Sequence, residues 1–201
     1  APPFAESIGP IVPDVSLDRW SYGAIESCIR NGMAQPLFEA PIYNEDGSMS
    51  VPLDQNIYPT KPITRGELVA ILYAGKDKFF VEAPEHIRNM KFNDISGHRF
   101  EKEIIDMANR GVINGYPDNT FRPDKEITRA EFVVIMNAFL GRCDAKKINE
   151  KINVFKDVYE KDWYYYDIIE AAVNHSYREI DATNVWIKPL TEEEVRQYIW
   201  W

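Results

Sequence analysis

Apolar side chains recur at helical spacing along the chain. Behind each of three Thr residues they fall at i, i+3 and i+4, the pattern of one face of an α-helix. The matched positions are Leu68, Ile71 and Leu72; Phe132, Ile135 and Met136; and Val195, Tyr198 and Ile199. A second set of helices is predicted upstream of these, with the pairs Ile25 and Ile29, Ile104 and Ala108, and Ile168 and Ala172. The pattern predicts a mainly α protein with short extended pieces at most.

The predicted helices form a repeat. Thr64, Thr128 and Thr191 recur at nearly equal intervals, 128 − 64 = 64 and 191 − 128 = 63. The interval from Asp94 to Thr128 equals that from Asp157 to Thr191, since 128 − 94 and 191 − 157 are both 34. From Asp14 to Thr64 it is 64 − 14 = 50, so the first copy carries 50 − 34 = 16 extra residues, which we place within about 35–54. We define copy one as residues 12–76, copy two as 92–142 and copy three as 155–201, with 77–91 as a linker.

Capping residues mark the helix ends. A Thr-x-x-Glu capping box is expected to start the second helix of each copy, because the Thr hydroxyl and the Glu carboxylate each take an unpaired backbone N–H. The three boxes are Thr64 and Glu67, Thr128 and Glu131, and Thr191 and Glu194. Gly32 and Gly111 suit left-handed ends of the first helices, whereas copy three has His175 at this place.

One helix pair of this size cannot bury enough apolar surface to be stable alone. We therefore expect one domain in which three helix-loop-helix repeats close in a pseudo-threefold arrangement around a central helical bundle. A linear solenoid is the competing geometry.

Composition restricts the partners. The 201 residues carry 23 Lys and Arg against 32 Asp and Glu, a net charge of −9. Such a surface disfavours nucleic acid and anionic membranes, so an anionic ligand needs a local cationic pocket. No apolar run reaches the ~18 to 20 residues of a membrane span. The opening Ala1-Pro2-Pro3 suits a mature, processed N-terminus.

Sequence patterns for catalysis and metal binding are weak. The histidines His86, His98 and His175 are scattered, and no zinc-protease, nucleophile-elbow or P-loop motif is present. Residues 44–48 suggest a surface turn rather than a calcium loop, because the ligand series is incomplete. Cys28 and Cys143 favour buried free thiols over a disulfide. We expect no enzyme activity, cofactor or metal.

Two arginines are the main candidates for ligand binding. Arg65 and Arg129 occupy the first helical position, where unpaired N–H groups, the helix dipole and a guanidinium together favour a carboxylate or phosphate. The equal alternative is an Arg tolerated on the surface or paired with an Asp. Copy three has Glu192 here, which would repel an anion.

The loop before the second Arg supplies further candidates. Gly115 allows close backbone approach and Tyr116 offers a flat face to a sugar, although Tyr116 is equally suited to packing in the core. Phe121 favours the core. Asp14 and Asp94 suit orienting the Arg, accepting sugar hydroxyls or capping a helix.

These motifs resemble a known family. Phe-x-Asp, Gly-Val-Ile-x-Gly-Tyr-Pro-Asp-x-Thr-Phe-x-Pro and Ile-Thr-Arg-Ala-Glu are similar to the S-layer homology repeat of bacterial surface proteins. The resemblance is close in copy two, clear at both ends of copy one and degenerate in copy three. It implies a threefold helical domain that anchors proteins non-covalently to the cell envelope outside the cell.

The resemblance also implies a ligand. This is a secondary cell wall polysaccharide with pyruvylated amino sugar, held in grooves between repeats. Arg65 and Arg129 would engage its carboxylate, with Gly115 and the aspartates Asp14 and Asp94 nearby. Modified peptidoglycan is an alternative ligand, and a scaffold repurposed for protein–protein interaction is an alternative function.

Overall fold

The computed structural model describes residues 12–38, 42–43, 49–50, 55–79, 89–142, 152, 155–180 and 183–191. Five α-helices lie in these ranges: α1 (Tyr22–Arg30), α2 (Arg65–Phe79), α3 (Glu101–Asn109), α4 (Arg129–Phe139) and α5 (Tyr165–Ala172). A short 3₁₀ helix covers Gln35–Leu37. The prediction of a mainly α protein is confirmed. The pseudo-threefold arrangement and the predicted bounds of the repeats stay predictions, and α2 continues to Phe79, past the predicted end of copy one.

Two antiparallel hairpins complete the described elements. In the insertion of copy one, β1 (Ile42–Tyr43) pairs with β2 (Met49–Ser50). Residues 44–48, the predicted surface turn, lie outside the described residues. In copy three, β3 (His175–Ile180) pairs with β4 (Thr183–Pro189), with an irregularity between Ser176 and Tyr177. This second hairpin is more extended structure than we expected, and it follows α5 directly.

The chain divides into two compact units. Unit 1 comprises residues 1–78, 92–104 and 117–126, and unit 2 comprises 79–91, 105–116 and 127–201. In unit 1, a buried cluster under α1 includes Val12, Val15, Ile29 and Phe38. Further buried residues of unit 1 are Leu68, Val69, Leu72, Ile95, Phe100, Ile104 and Phe121. Phe121 is fully buried, as expected.

Unit 2 has its own buried residues. They are Met107, Ala108, Val112, Ile113, Ile135, Phe139, Tyr165 and Ile169. The buried Asn137 of α4 donates through Nδ2 to the carbonyl of Asp167 in α5 at 2.9 Å, so a hydrogen bond joins the two helices. Phe132, expected on the inner face of α4, is 41% exposed. The buried apolar residues of α4 are Ile135 and Phe139 instead.

The predicted helix ends are present where they are described. Gly32 and Gly111 have φ of 76° and 77°, and the next residue donates back across each turn, Met33 to Cys28 and Val112 to Met107. Glycine is favoured because a Cβ disfavours this left-handed conformation. In copy three the chain instead leaves α5 in an extended conformation at Val173.

Capping boxes begin both α2 and α4. Thr64 N donates to Glu67 Oε2 at 2.8 Å and Glu67 N donates to Thr64 Oγ1 at 3.1 Å. Thr128 and Glu131 form the same pair of bonds at 2.9 and 3.2 Å. Thr191 is described but Glu194 and Glu192 lie outside the described residues, so the third box stays a prediction.

Candidate functional site

Two aspartates hold equivalent loops in the same way. Asp94 accepts from Phe121 N at 2.8 Å and from Arg122 N at 2.7 Å. Asp14 accepts from the backbone N–H of residues 57 and 58 at 3.1 and 2.7 Å. The second residue of each loop pair, Tyr58 or Arg122, has a left-handed φ, 52° or 58°. The aspartates therefore position loops, a role that the alternatives drawn from the sequence did not include.

Arg65 lies inside unit 1. Its side chain is buried, with Nε donating to the carbonyl of Phe121 at 2.9 Å and Cζ lying 4.6 Å from the Phe121 ring centroid. Such a contact between a guanidinium and an aromatic face is favourable. The structure therefore differs from the expected surface-facing position of this residue, and the ligand role that the resemblance gives Arg65 stays a prediction.

The start of α2 also differs from expectation. Its first N–H groups were expected to be available to an anion, but Arg65 N donates to Lys125 O at 2.9 Å and Gly66 N donates to Pro123 O at 2.8 Å. This expectation is wrong for α2, because carbonyl groups of the following copy already accept these N–H groups. The donors were predictable from the helix start, whereas the acceptors belong to a loop of another copy of the repeat.

Arg129 and Tyr116 lie in unit 2. Arg129 is exposed at the first position of α4, as expected. Tyr116 is half-buried and its hydroxyl donates to Oε1 of Glu131, the capping residue of the same helix. The structure therefore brings the Tyr116 hydroxyl to the start of α4. The ligand roles of Arg129, Gly115 and Tyr116 stay predictions.

A cleft of about 630 Å³ opens on unit 1, and it is lined by none of the predicted ligand residues. Its walls come from the start of α1, the loop 55–63 and the side chains of Glu67 and Arg99. We call it the unit 1 cleft. Three cations, Arg19, Lys61 and Arg99, line it against one carboxylate, Glu67, giving a formal local charge of 3 − 1 = +2. In a chain of net charge −9 this is a local reversal of sign.

The cations of the unit 1 cleft are partly fixed. Arg19 Nε donates to Ser21 Oγ at 2.8 Å and Nη2 donates to Pro59 O at 3.4 Å, while Nη1 makes no hydrogen bond within the described residues. Arg99 donates to Pro36 O at 2.6 Å and lies over the Phe100 ring. Lys61 is exposed. A guanidinium oriented in this way retains N–H donors for an anionic ligand.

Two aromatic rings lie open beside these cations. Trp20 is 93% exposed and Tyr58 is 59% exposed, and both line the unit 1 cleft. Such large rings usually bury part of their surface, and they offer flat apolar faces with a polar edge. The aspartate-held, left-handed backbone at residue 58 places one of the two rings here. Cations next to open aromatic faces can hold an acidic group and a sugar ring together.

Three further observations concern metal binding, the cysteines and membrane insertion. Within the described residues, no group of three His, Cys, Asp or Glu side chains could hold a metal ion. Cys28, the cysteine that the structure describes, is a half-buried free thiol in unit 1, and burial raises its pKa. Cys143 lies outside the described residues. No described helix has the length and apolar character needed to cross a bilayer.

The described part of the chain is mainly helical, and unit 1 carries a cationic cleft with exposed aromatic rings. Residues 91–133, most of copy two, match the family model of the S-layer homology domain. This segment is thus similar to the S-layer homology domain, as its motifs indicated; the match does not extend to three tandem repeats.

The chain is also similar to parts of longer proteins. The chain is 36% identical over 126 residues to the cellulosome-anchoring protein of Acetivibrio thermocellus, covering 62% of this chain and 27% of that protein. It is 32% identical over 145 residues to cell surface glycoprotein 1 of the same organism, covering 69% and 6%. An amylopullulanase of Thermoanaerobacterium thermosulfurigenes is 35% identical over 94 residues, covering 46% and 5%. The chain therefore spans about a quarter or less of the length of these relatives.

Proposed function

We propose that this chain attaches a bacterial surface protein to the cell wall by binding an anionic, pyruvylated secondary cell wall polysaccharide without chemical turnover. The S-layer homology domain and the surface-protein relatives support attachment to the wall at the outside of the cell. Relatives that carry glycanase names share only a small part of their length with the chain, which fits a shared anchor rather than a shared catalytic domain.

The cationic lining of the unit 1 cleft carries the polysaccharide proposal. A chain of net charge −9 repels a polyanion at long range, so binding must rest on short-range contacts. Arg19 and Lys61 supply charge-assisted donors for the acidic group, while Trp20 and Tyr58 supply faces for the sugar ring. Arg129, with Gly115 and Tyr116, is a second candidate subsite in unit 2.

The test is a binding titration of the whole chain with polysaccharide released from Acetivibrio thermocellus cell walls. The same material after acid removal of its pyruvyl groups is the comparison ligand. We expect saturable binding to the intact polymer and a loss of at least about tenfold in affinity after the acid groups are removed, because a hydrogen bond to a charged group contributes about 1.5 to 3 kcal/mol. Equal affinity for both polymers would contradict the proposal.

Charge reversal locates the site. Lys61→Glu and Lys102→Glu each change the net charge from −9 to −11, but Lys61 lines the unit 1 cleft and the exposed Lys102 of α3 does not. We expect Lys61→Glu to weaken binding by tenfold or more and Lys102→Glu to weaken it less than threefold. If the two variants bind alike, the effect is one of net charge and the cleft is not the site.

The alternatives give different results in the same assay. Binding to purified peptidoglycan that is stripped of the polysaccharide would favour modified peptidoglycan as the ligand. Release of reducing sugar ends during incubation would indicate an enzyme. Absence of wall binding would favour a protein–protein interaction module.

A further inference from the structure

Glu67 is the carboxylate in an otherwise cationic lining. It is half-buried at the third position of α2, and its Oε2 accepts the Thr64 N–H of the capping box at 2.8 Å. A carboxylate in this lining repels an anionic ligand, so its presence needs a separate explanation. The capping box accounts for one of its two oxygens.

The equivalent carboxylate in copy two has both oxygens in use. Glu131 Oε2 accepts from Thr128 N at 2.9 Å, and Oε1 accepts from the hydroxyl of Tyr116. Glu131 is buried, at 7% exposure. A hydroxyl from the chain itself therefore completes this capping carboxylate.

In copy one, no described residue donates a hydroxyl hydrogen bond to the capping carboxylate Glu67. Among the described residues, nothing donates a hydrogen bond to Glu67 Oε1, and Glu67 is one of the residues that line the unit 1 cleft. A carboxylate oxygen has lone pairs for further donors, so this atom keeps the capacity to accept a hydrogen bond from a ligand.

We propose that Glu67 Oε1 accepts a hydrogen bond from a hydroxyl group of a saccharide bound in the unit 1 cleft. The ligand unit is then a sugar that carries both an acidic group, held by Arg19 and Lys61, and an unsubstituted hydroxyl, held by Glu67. The Tyr116 hydroxyl on Glu131 is the intramolecular counterpart of this contact. The inference rests on the proposed function, since it names a specificity-determining residue of the same cleft.

The two possible roles of Glu67 predict opposite changes in affinity when its charge is removed. Removing a negative charge from the lining would strengthen the binding of an anion if Glu67 acted only through its charge. Loss of a hydroxyl contact would weaken it. Glu67→Gln distinguishes the two roles, because Gln also serves at the third position of a capping box and the helix start is retained.

The experiment titrates wild type, Glu67→Gln and Glu131→Gln with the Acetivibrio thermocellus wall polysaccharide, and records the unfolding midpoint of each. We expect Glu67→Gln to lose about tenfold in affinity at little cost in stability. The matched Glu131→Gln should lose stability, because its Oε1 accepts a hydrogen bond from the Tyr116 hydroxyl. Unchanged or tighter binding by Glu67→Gln overturns the inference.

Two comparisons separate this inference from the proposed function. If wild type binds and Lys61→Glu weakens binding while Glu67→Gln does not, only the role of Glu67 is wrong. If wild type does not bind the polysaccharide, both are wrong. A further titration uses wild type, so it does not depend on the folding of a variant. Its ligand is the polysaccharide after O-methylation of the hydroxyl groups and hydrolysis of any methyl esters. If wild type keeps its affinity for this polymer, which has no hydroxyl donors, the role of Glu67 is wrong.

Discussion

Asp94 holds the backbone of Arg122 in a left-handed conformation. Its Oδ2 accepts the Arg122 N–H at 2.7 Å while the residue keeps φ at 58°, a conformation that costs about 1 to 2 kcal/mol for a residue with a Cβ. Asp14 holds Tyr58 in the same way at φ 52°. In both loops, a carboxylate from the beginning of the copy stabilises a strained position 28 or 44 residues later.

Replacing Asp94 should therefore destabilise the protein. Asp94→Ala removes two backbone hydrogen bonds to a charged acceptor, at 2.8 and 2.7 Å, and leaves the loop strain uncompensated. We expect the free energy of unfolding to fall by about 1.5 to 3 kcal/mol, measured by urea denaturation.

The same residue in copy three is the matched control. Asp157 occupies the equivalent sequence position and is exposed. Asp157→Ala should change the free energy of unfolding by less than about 0.5 kcal/mol. Equal losses for the two variants would argue against the loop-holding role of Asp94.

Asn119 tests the left-handed backbone within the same loop. It has φ of 60° and its carbonyl accepts the Asn93 N–H at 2.9 Å. Asn119→Val should cost about 1 to 2 kcal/mol in urea unfolding, because a β-branched residue tolerates this conformation poorly. Asn119→Gly should stay within about 0.5 kcal/mol of wild type, since glycine adopts it without a steric penalty. A Val variant as stable as the Gly variant would show that this backbone is not under strain.

The lowered pKa of Asp118 predicts that the protein loses stability in acid. Its pKa is lowered to about 2, first by the hydrogen bond from the Thr120 hydroxyl and then by those from Arg122 and the Thr120 N–H. An ordinary Asp has a pKa of about 3.9, so the folded state releases the proton more readily than the unfolded state. This contribution is complete above about pH 5 and is lost mainly as the pH falls from about 4 to about 2.

The comparison of wild type with Asp118→Asn isolates that contribution. The difference in their free energy of unfolding should be constant above about pH 5 and should shrink between about pH 4 and pH 2, measured by urea denaturation at each pH. A difference that is independent of pH over this range would rule out the lowered pKa.

The two glycines of α2 should respond differently to alanine. At Gly66 a Cβ would lie 3.1 Å from the carbonyl oxygen of Pro123, which already accepts the Gly66 N–H at 2.8 Å. At Gly75 the Cβ would meet only the side chain of Met33, which is flexible and can move. Alanine normally gains up to ~1 kcal/mol over glycine inside a helix.

We therefore expect Gly75→Ala to be more stable than Gly66→Ala by about 1 kcal/mol. Urea denaturation of both variants beside wild type measures this difference. The steric account fails if Gly66→Ala is as stable as Gly75→Ala.

Local chemistry was the predictable part of the fold. The capping boxes at Thr64 and Thr128 and the left-handed glycines Gly32 and Gly111 depend on residues within one helical turn, and the sequence displays them directly. The helix spacing likewise predicted the mainly α fold. Copy three departs from the expected pattern because β-branched and aromatic residues around Val185, Trp186 and Ile187 favour a strand, which the repeat frame concealed.

Long-range chemistry was not predictable from one sequence. The guanidinium of Arg65 and the Phe121 carbonyl that accepts from it are 56 residues apart, and no spacing rule connects them. The unit 1 cleft joins Arg19 to a loop 40 residues further on, beyond an insertion that obscures the repeat. The charged, aromatic and loop residues of the cleft could each be identified in the sequence. Which of them lie together depends on tertiary packing.

The bonds from Arg65 and Gly66 to residues 121–125 have a consequence for how such domains can be divided. A deletion or gene fusion that cuts between residues 79 and 91 would keep the predicted copy one complete as a sequence motif. It would also remove the carbonyl groups that accept hydrogen bonds from the backbone N–H groups of Arg65 and Gly66 and from the buried Arg65 guanidinium. The segment that keeps its internal hydrogen bonds when it is moved is therefore longer than the motif. A truncated protein that ends between residues 79 and 91 should be more easily degraded by proteases.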